Sequence, residues 1–233
     1  MHRIHRFALA VAALMLLSGA GCARAQDANR AVEGGGISVP GWVGRIDPKE
    51  ISAGEKLGNA RLAKEGDALH VTTGPAVAYW HPDNMARGNY TVRATFKEAR
   101  YMSRNSHPHP YGIFIAGNGM GTDRQSYLYC AAYGNGNFIV RGFGPAPFQL
   151  NSRWSPSSAV NRAAGPGEPV TQEIALSVKD NKVECAINST VVASDDKSKL
   201  VVDGKLTSTD GVYGIRFAHN TEALVIGLTM MSP

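Results

Sequence analysis

Tyr90-Thr-Val-Arg-Ala-Thr-Phe96 decides the fold class. In an extended chain Tyr90, Val92, Ala94 and Phe96 fall on one side and Thr91, Arg93 and Thr95 on the other. That is the two-residue period of a strand with one face in a core and one in water. The pattern returns in Ile174-Ala-Leu-Ser-Val178 and in Val183-Glu-Cys-Ala-Ile187, separated by Asp180-Asn181, which suits a tight hairpin turn. Working outward, further strands are expected at 69–72, 76–80, 112–116, 126–133, 138–142, 212–218 and 224–230. The best helical window, 55–67, is interrupted by Gly58 and Gly66, each costing about 1 kcal/mol relative to Ala, so at most one or two short helical turns are expected.

Composition agrees with this pattern. The 233 residues include 26 Gly and 12 Pro and are 18% charged, against a usual charged share of about 25%. Low charge with many turn residues excludes a disordered chain, and no Gly-X-Y or heptad period supports collagen or a coiled coil. We therefore expect an all-β, single-domain antiparallel β-sandwich of jelly-roll type, with no internal repeat.

The N-terminus reads as an address. Arg3 and Arg6 precede an apolar run over 7–17, and Ala23-Arg24-Ala25 has the small-x-small form of a signal-peptidase site. Residues 1–25 are thus an expected signal peptide, and the product is expected to be periplasmic or extracellular. The run is shorter than the ~20 residues that span a bilayer, and no later segment approaches that length. Leu17-Ser-Gly-Ala-Gly-Cys22 also resembles a lipoprotein cleavage site, with Gly19 where Leu is usual, so Cys22 is either an acylated anchor or discarded with the leader. Residues 26–40, containing Glu33-Gly-Gly-Gly36, read as a flexible segment ahead of a domain at 41–233.

The leader holds three of the 24 basic residues and none of the 19 acidic ones, so the net charge falls from +5 to +2 on its removal. No Lys/Arg cluster alternates with aromatic residues, and a nucleic-acid partner is not indicated. Cys130 and Cys185 remain, in a compartment where a disulfide persists. They are read either as a bridge or as two buried thiols.

Several stretches carry a resemblance. Gly41-Trp-Val-Gly44, Leu69-His-Val-Thr-Thr-Gly-Pro75 with Tyr79-Trp80, Gly88-Asn-Tyr-Thr-Val92, Tyr111-Gly-Ile-Phe-Ile115, Gln125-Ser-Tyr-Leu-Tyr129 and Gly211-Val-Tyr-Gly-Ile-Arg-Phe-Ala-His-Asn220 resemble exported bacterial proteins of the concanavalin A-like, laminin G-like jelly-roll superfamily. Named members of similar pattern are domains described as 3-keto-disaccharide hydrolases, alongside related proteins of unassigned function. The resemblance implies two curved antiparallel sheets whose concave face is a frequent ligand surface. It also embraces lectins, sugar-binding modules, glycosidases and interaction domains, so it does not select a function.

Retaining glycosidases of the laminarinase type need two carboxylates about 5 to 5.5 Å apart, carried by Glu-x-Asp-x-x-Glu on one strand. No such motif occurs here. A binding face is easier to derive. Along 126–133, Tyr127, Tyr129, Ala131 and Tyr133 alternate with Leu128, Cys130 and Ala132. If the second set faces the core, the tyrosines form an exposed row suited to stacking on sugars, with Arg141 beside it and Trp154 projecting from the next loop. Otherwise they fill the interior or pack under a lid formed by the Pro/Gly/Ser-rich segment 144–167. Cys185 faces inward with Val183 and Ile187 by the same alternation.

The histidines are the other candidates. His107-Pro-His-Pro110 and the strand-end His219 can converge on one rim, where with Asp123 they would hold a divalent metal ion. The plainer reading is a surface turn. For a 3-keto-glycoside, His107, His109 or His219 would serve as the base removing a proton beside the ketone. Asp195-Asp196 and Asp203-Gly204 are candidate calcium sources or solvated turns, without EF-hand spacing. Asn89-Tyr-Thr91 and Asn188-Ser-Thr190 match the glycosylation pattern and read as ordinary strand and turn residues. The leading expectation is non-catalytic binding of a glycan or glycoconjugate through a Tyr-rich concave face. A periplasmic 3-keto-glycoside hydrolase or lyase is the alternative, and a cell-envelope protein-interaction domain is the second alternative.

Overall fold

The computed structural model describes residues 28–233. The expected leader and Cys22 lie outside them. In chain order the strands are β1 (Gly36–Ile37), β2 (Val43–Ile46), β3 (Ala60–Glu65), β4 (Ala68–Thr73), β5 (Val77–Ala86), β6 (Tyr90–Glu98), β7 (Tyr111–Asn118), β8 (Ser126–Tyr133), β9 (Asn137–Phe143), β10 (Phe148–Gln149), β11 (Ser155–Pro156), β12 (Val170–Lys179), β13 (Lys182–Ile187), β14 (Thr190–Asp196), β15 (Gly211–Phe217) and β16 (Glu222–Met231). One sheet runs β1-β3-β4-β16-β6-β12-β13-β14; the other runs β10-β9-β8-β7-β15-β5-β2, with β11 also on β9. Pairing is antiparallel throughout except for β1 beside β3. Helix is confined to short pieces at Pro48–Ser52, Leu57–Asn59 and Lys197–Leu200.

The alternation read from β6 holds in space. Tyr90, Val92, Ala94 and Phe96 are buried while Arg93 is exposed. On the facing sheet Tyr111, Ile113, Ile115, Leu128, Cys130, Val140, Ile215 and Phe217 enter the same core. Phe96 stacks on Tyr111 with ring centroids 5.5 Å apart, and Phe217 lies 6.0 Å from both. Each fully buried aliphatic or aromatic side chain contributes about 1.5–3 kcal/mol through removal from water. Between β12 and β13 the register sets Leu176 opposite Cys185 and Val178 opposite Val183, and Asp180 turns the hairpin at φ +53°. Asn89 and Asp180 exchange hydrogen bonds of 2.8 and 2.9 Å, so Asn89 serves this turn. Cys130 on β8 and Cys185 on β13 are joined as a disulfide, with Cα atoms 6.1 Å apart. The bridge ties the two sheets through the core.

One expectation is corrected. The described part of the segment expected to be flexible is held in place. Val39 is buried in the core, Ser38 N–H donates to the Leu62 carbonyl at 2.9 Å, and Arg30 N–H donates to Asn220 Oδ1 at 3.0 Å. The Gly-rich run hid this because glycine carries no side-chain period. In the window 55–67, a 3-10 turn at Leu57–Asn59 leads directly into β3, whose Ala60 and Leu62 are buried two residues apart. The acidic pair Asp195-Asp196 ends β14, where Asp196 pairs with Lys182 at 2.6 Å and Lys199 at 3.0 Å.

Candidate functional site

The outward face of the second sheet carries a second apolar cluster. Trp80 of β5, Phe114 of β7, Tyr127, Tyr129 and Tyr133 of β8, and Ile139 and Phe143 of β9 make it up. The tyrosines therefore face away from the sandwich core, as alternation along β8 requires. They are not exposed. Tyr127 is 1% accessible, Tyr129 6% and Tyr133 2%. Neighbouring strands cover them: Tyr127 lies 5.0 Å from Phe143 and 5.1 Å from Phe114, centroid to centroid. Burial pushes the Tyr127 and Tyr129 hydroxyls upward and the Tyr133 hydroxyl to about 12, so all three remain protonated donors.

A cavity of about 710 Å³ opens over this face. Tyr129, Tyr133, Ile139 and Phe143 form its apolar floor, while Gly144, Pro145, Pro147 and Arg153 supply one wall. The long segment after β9 thus borders the site through the residues just before β10 and through Arg153 between β10 and β11. Of the expected binding residues, Tyr129, Tyr133 and Arg141 line the cavity. Tyr127 does not line it and packs against Phe114 and Phe143, and Trp154 instead packs at a tilt against Tyr133, with centroids 4.8 Å apart.

Charge is distributed unevenly around the opening. Arg216 of β15 is buried, 2.5 Å from Asp47, and its guanidinium lies 5.7 Å from the Tyr129 and Phe143 ring centres. Burial opposes its charge, and Asp47 with Tyr127 and Tyr129 more than compensates, holding its pKa above the ordinary value. Arg45 pairs with Asp123 at 2.7 Å, and Glu50 accepts a hydrogen bond from Asn29 at 2.7 Å. Arg141 and Arg153 have no carboxylate partner among the described residues. Arg141 lies 5.5 Å from the Phe143 ring centre and Arg153 5.5 Å from that of Trp154. These are two positive charges resting on aromatic faces beside a cavity.

The three candidate histidines converge at the cavity's edge. His109 and His219 line it, both buried, and His107 stands against His109 with their Nε2 atoms 2.8 Å apart. One ring nitrogen from each lies within 4.8 Å of the others. Asp123 is not in this cluster; it lines the same cavity, with its exposed carboxylate paired to Arg45. Sequence reading missed Arg216, Asp47, Arg45 and Arg153 as parts of the site. Arg216 had a legible signal, standing between the core residues Ile215 and Phe217 and hence facing the tyrosine side. Asp47 and Arg45, more than 160 residues earlier, had none.

No family model matches the sequence, and no curated protein sequence matches it. In structure the chain resembles the carbohydrate-binding module CBM66 from Bacillus subtilis, with a TM-score of 0.55 at 6% identity, covering 84% of this chain and 99% of that one. It also resembles a Bacillus subtilis protein of unknown function with a galectin-like fold, with a TM-score of 0.53 at 13% identity, covering 82% of this chain and 89% of that one. At such identities the likeness speaks for the fold alone, a two-sheet antiparallel jelly-roll sandwich of galectin-like form.

Proposed function

We propose that this chain binds a carbohydrate bearing a carboxylate or similar anionic group in the cavity lined by β8, β9 and Arg216 of β15. One observation carries the reading: Arg141 and Arg153, without carboxylate partners among the described residues, flank an aromatic floor of Tyr129, Tyr133 and Phe143. Apolar rings accept the C–H face of a sugar, and guanidinium groups match a carboxylate bidentately. The likeness of fold to a carbohydrate-binding module supports the sugar part of the reading. Binding outside the cytoplasm is supported by the leader-like pattern of residues 1–25 and by the Cys130–Cys185 pairing.

The test is calorimetric titration with oligogalacturonide against a neutral glucan of similar length. The acidic oligomer is expected to bind and the neutral one to bind far more weakly. Arg141→Gln and Arg153→Gln should each lose about 10- to 100-fold in affinity, the equivalent of a charge-assisted hydrogen bond of about 1.5–3 kcal/mol. Equal binding of both oligomers, or variants that bind like the parent chain, would refute the anionic reading.

A second reading is favoured by the histidines at the cavity's edge. On a 3-keto-glycoside, an imidazole beside the cavity would remove the proton next to the ketone and start cleavage by elimination. New sugar signals in an NMR time course, abolished in His219→Gln, would establish it; an unchanged substrate spectrum would dismiss it.

A further inference from the structure

We propose that His107, His109 and His219 form a binding site for a divalent transition-metal ion of zinc's class. The inference does not depend on what the cavity binds. It starts from the protons that the hydrogen bonds impose. His109 Nδ1 is 2.5 Å from the His219 carbonyl oxygen, which only accepts, so Nδ1 carries the proton and the neutral ring has its lone pair on Nε2. For His219 the logic runs through Asn29. The Asn29 amide nitrogen donates to Glu50 Oε2 at 2.7 Å and to Glu55 Oε1 at 3.0 Å, which turns its oxygen toward His219 Nδ1 at 3.2 Å. His219 Nδ1 is therefore a donor as well, and its lone pair also sits on Nε2.

This is the arrangement by which proteins prepare imidazole ligands. One nitrogen is anchored through its N–H to a carbonyl or amide oxygen, and the other is left basic. His107 Nε2 stands 2.8 Å from the lone-pair nitrogen of His109 and donates its N–H to it, a proton that a bound ion would displace. Tetrahedral coordination at about 2.0–2.1 Å sets ligand atoms roughly 3.3 Å apart, so these two nitrogens need to part by only about half an ångström. His107 lies in the connection between β6 and β7 and is half-buried, whereas His109 and His219 are buried. A rigid pair and a more accessible third ligand thus face one another. Imidazole donors select zinc, copper or nickel over magnesium and calcium, which prefer oxygen. Because His109 and His219 also line the cavity, the ion would stand at its wall.

The test uses tag-free protein, freed of metal by chelation and titrated with cobalt(II), whose visible absorption reports coordination by few nitrogen ligands. Zinc follows by displacement. The expected result is one cobalt per chain with tetrahedral or five-coordinate absorption, displaced by zinc. Affinity should fall by at least about 10-fold in His107→Ala and in His109→Ala, since even second-shell changes cost that much. Zinc should raise the melting temperature of the parent protein and not of the variants. If His109→Ala fails to fold, the more accessible His107→Ala carries the test. Absence of one-equivalent binding, octahedral absorption only, or undiminished affinity in His107→Ala would overturn the proposal. An equal loss in His70→Ala would also do so, by placing the ion elsewhere.

Discussion

Replacing Glu98 by Gln should stabilise this protein at neutral and alkaline pH and leave it nearly unchanged in acid. Glu98 ends β6 on its inward side and is 6% accessible. Neither its Oε2 nor the nearby Tyr111 hydroxyl has a hydrogen-bond partner of good geometry. Burial pushes the carboxyl from 4.5 to about 7, opposed in part by the Tyr111 hydroxyl and the Met102 backbone. Between those two values the folded chain binds a proton that the unfolded chain has released, so stability falls as pH rises through this window. A difference of about 2.5 units at 1.36 kcal/mol each comes to about 3 kcal/mol by pH 8. Gln keeps the shape and removes the ionisation. Urea unfolding of both proteins across about pH 4 to 8 measures the effect. With a slope of about 1–3 kcal/mol per molar urea, the Gln variant should gain at least about 1 M in midpoint at alkaline pH and almost nothing at about pH 4. A gap between the two proteins that stays constant with pH would show that Glu98 is solvated in the folded state, and the reasoning would fail.

Other perturbations have equally definite outcomes. Reducing Cys130–Cys185, which closes a loop of sequence separation 55, should cost about 4 kcal/mol in denaturant stability; a loss below about 1 kcal/mol would contradict the sheet-to-sheet tie. His70, whose pKa is raised chiefly by its 2.9 Å hydrogen bond to Glu222, should titrate lower by NMR in Glu222→Gln. The stability from this pair is present below the ordinary histidine value and lost as pH rises through the raised one, and an unshifted His70 would remove its basis. Gly112→Ala would set a Cβ 1.9 Å from the Cys130 carbonyl oxygen, a backbone atom that cannot yield. It should therefore destabilise by more than about 4 kcal/mol or abolish soluble expression, and a normal melting temperature would show that β7 and β8 lie farther apart.

The site draws on both ends of the chain's chemistry. Its floor is aromatic because β8 and β9 place Tyr129, Tyr133 and Phe143 on the outward face, and its rim is charged because Arg141 and Arg216 lie over those rings, with Arg153 on the neighbouring Trp154. The protonated tyrosine hydroxyls and the guanidinium groups supply donors, so an acceptor-rich ligand is the chemical complement.

Alternation by itself determined most of the architecture. A strand's side chains point to opposite faces every second residue, so Tyr90 to Phe96, Ile174 to Val178 and Val183 to Ile187 declared their buried sides locally. The same rule placed Cys130 and Cys185 inward, and put Tyr127, Tyr129 and Tyr133 on the side away from Leu128. What lies over that side was a tertiary matter. A period says which way a residue points and nothing of what closes over it, and Phe114, Phe143 and Trp154 pack against the row from other parts of the chain. The histidines show the same division. Sequence identified His107, His109 and His219 as candidates, but His109 and His219 are 110 residues apart and meet because β7 and β15 are hydrogen-bonded neighbours. Asp123, equally plausible by residue type, stands apart from them and pairs with Arg45. Local geometry is written in a short stretch of sequence; convergence depends on which strands pair, and only the folded chain decides that.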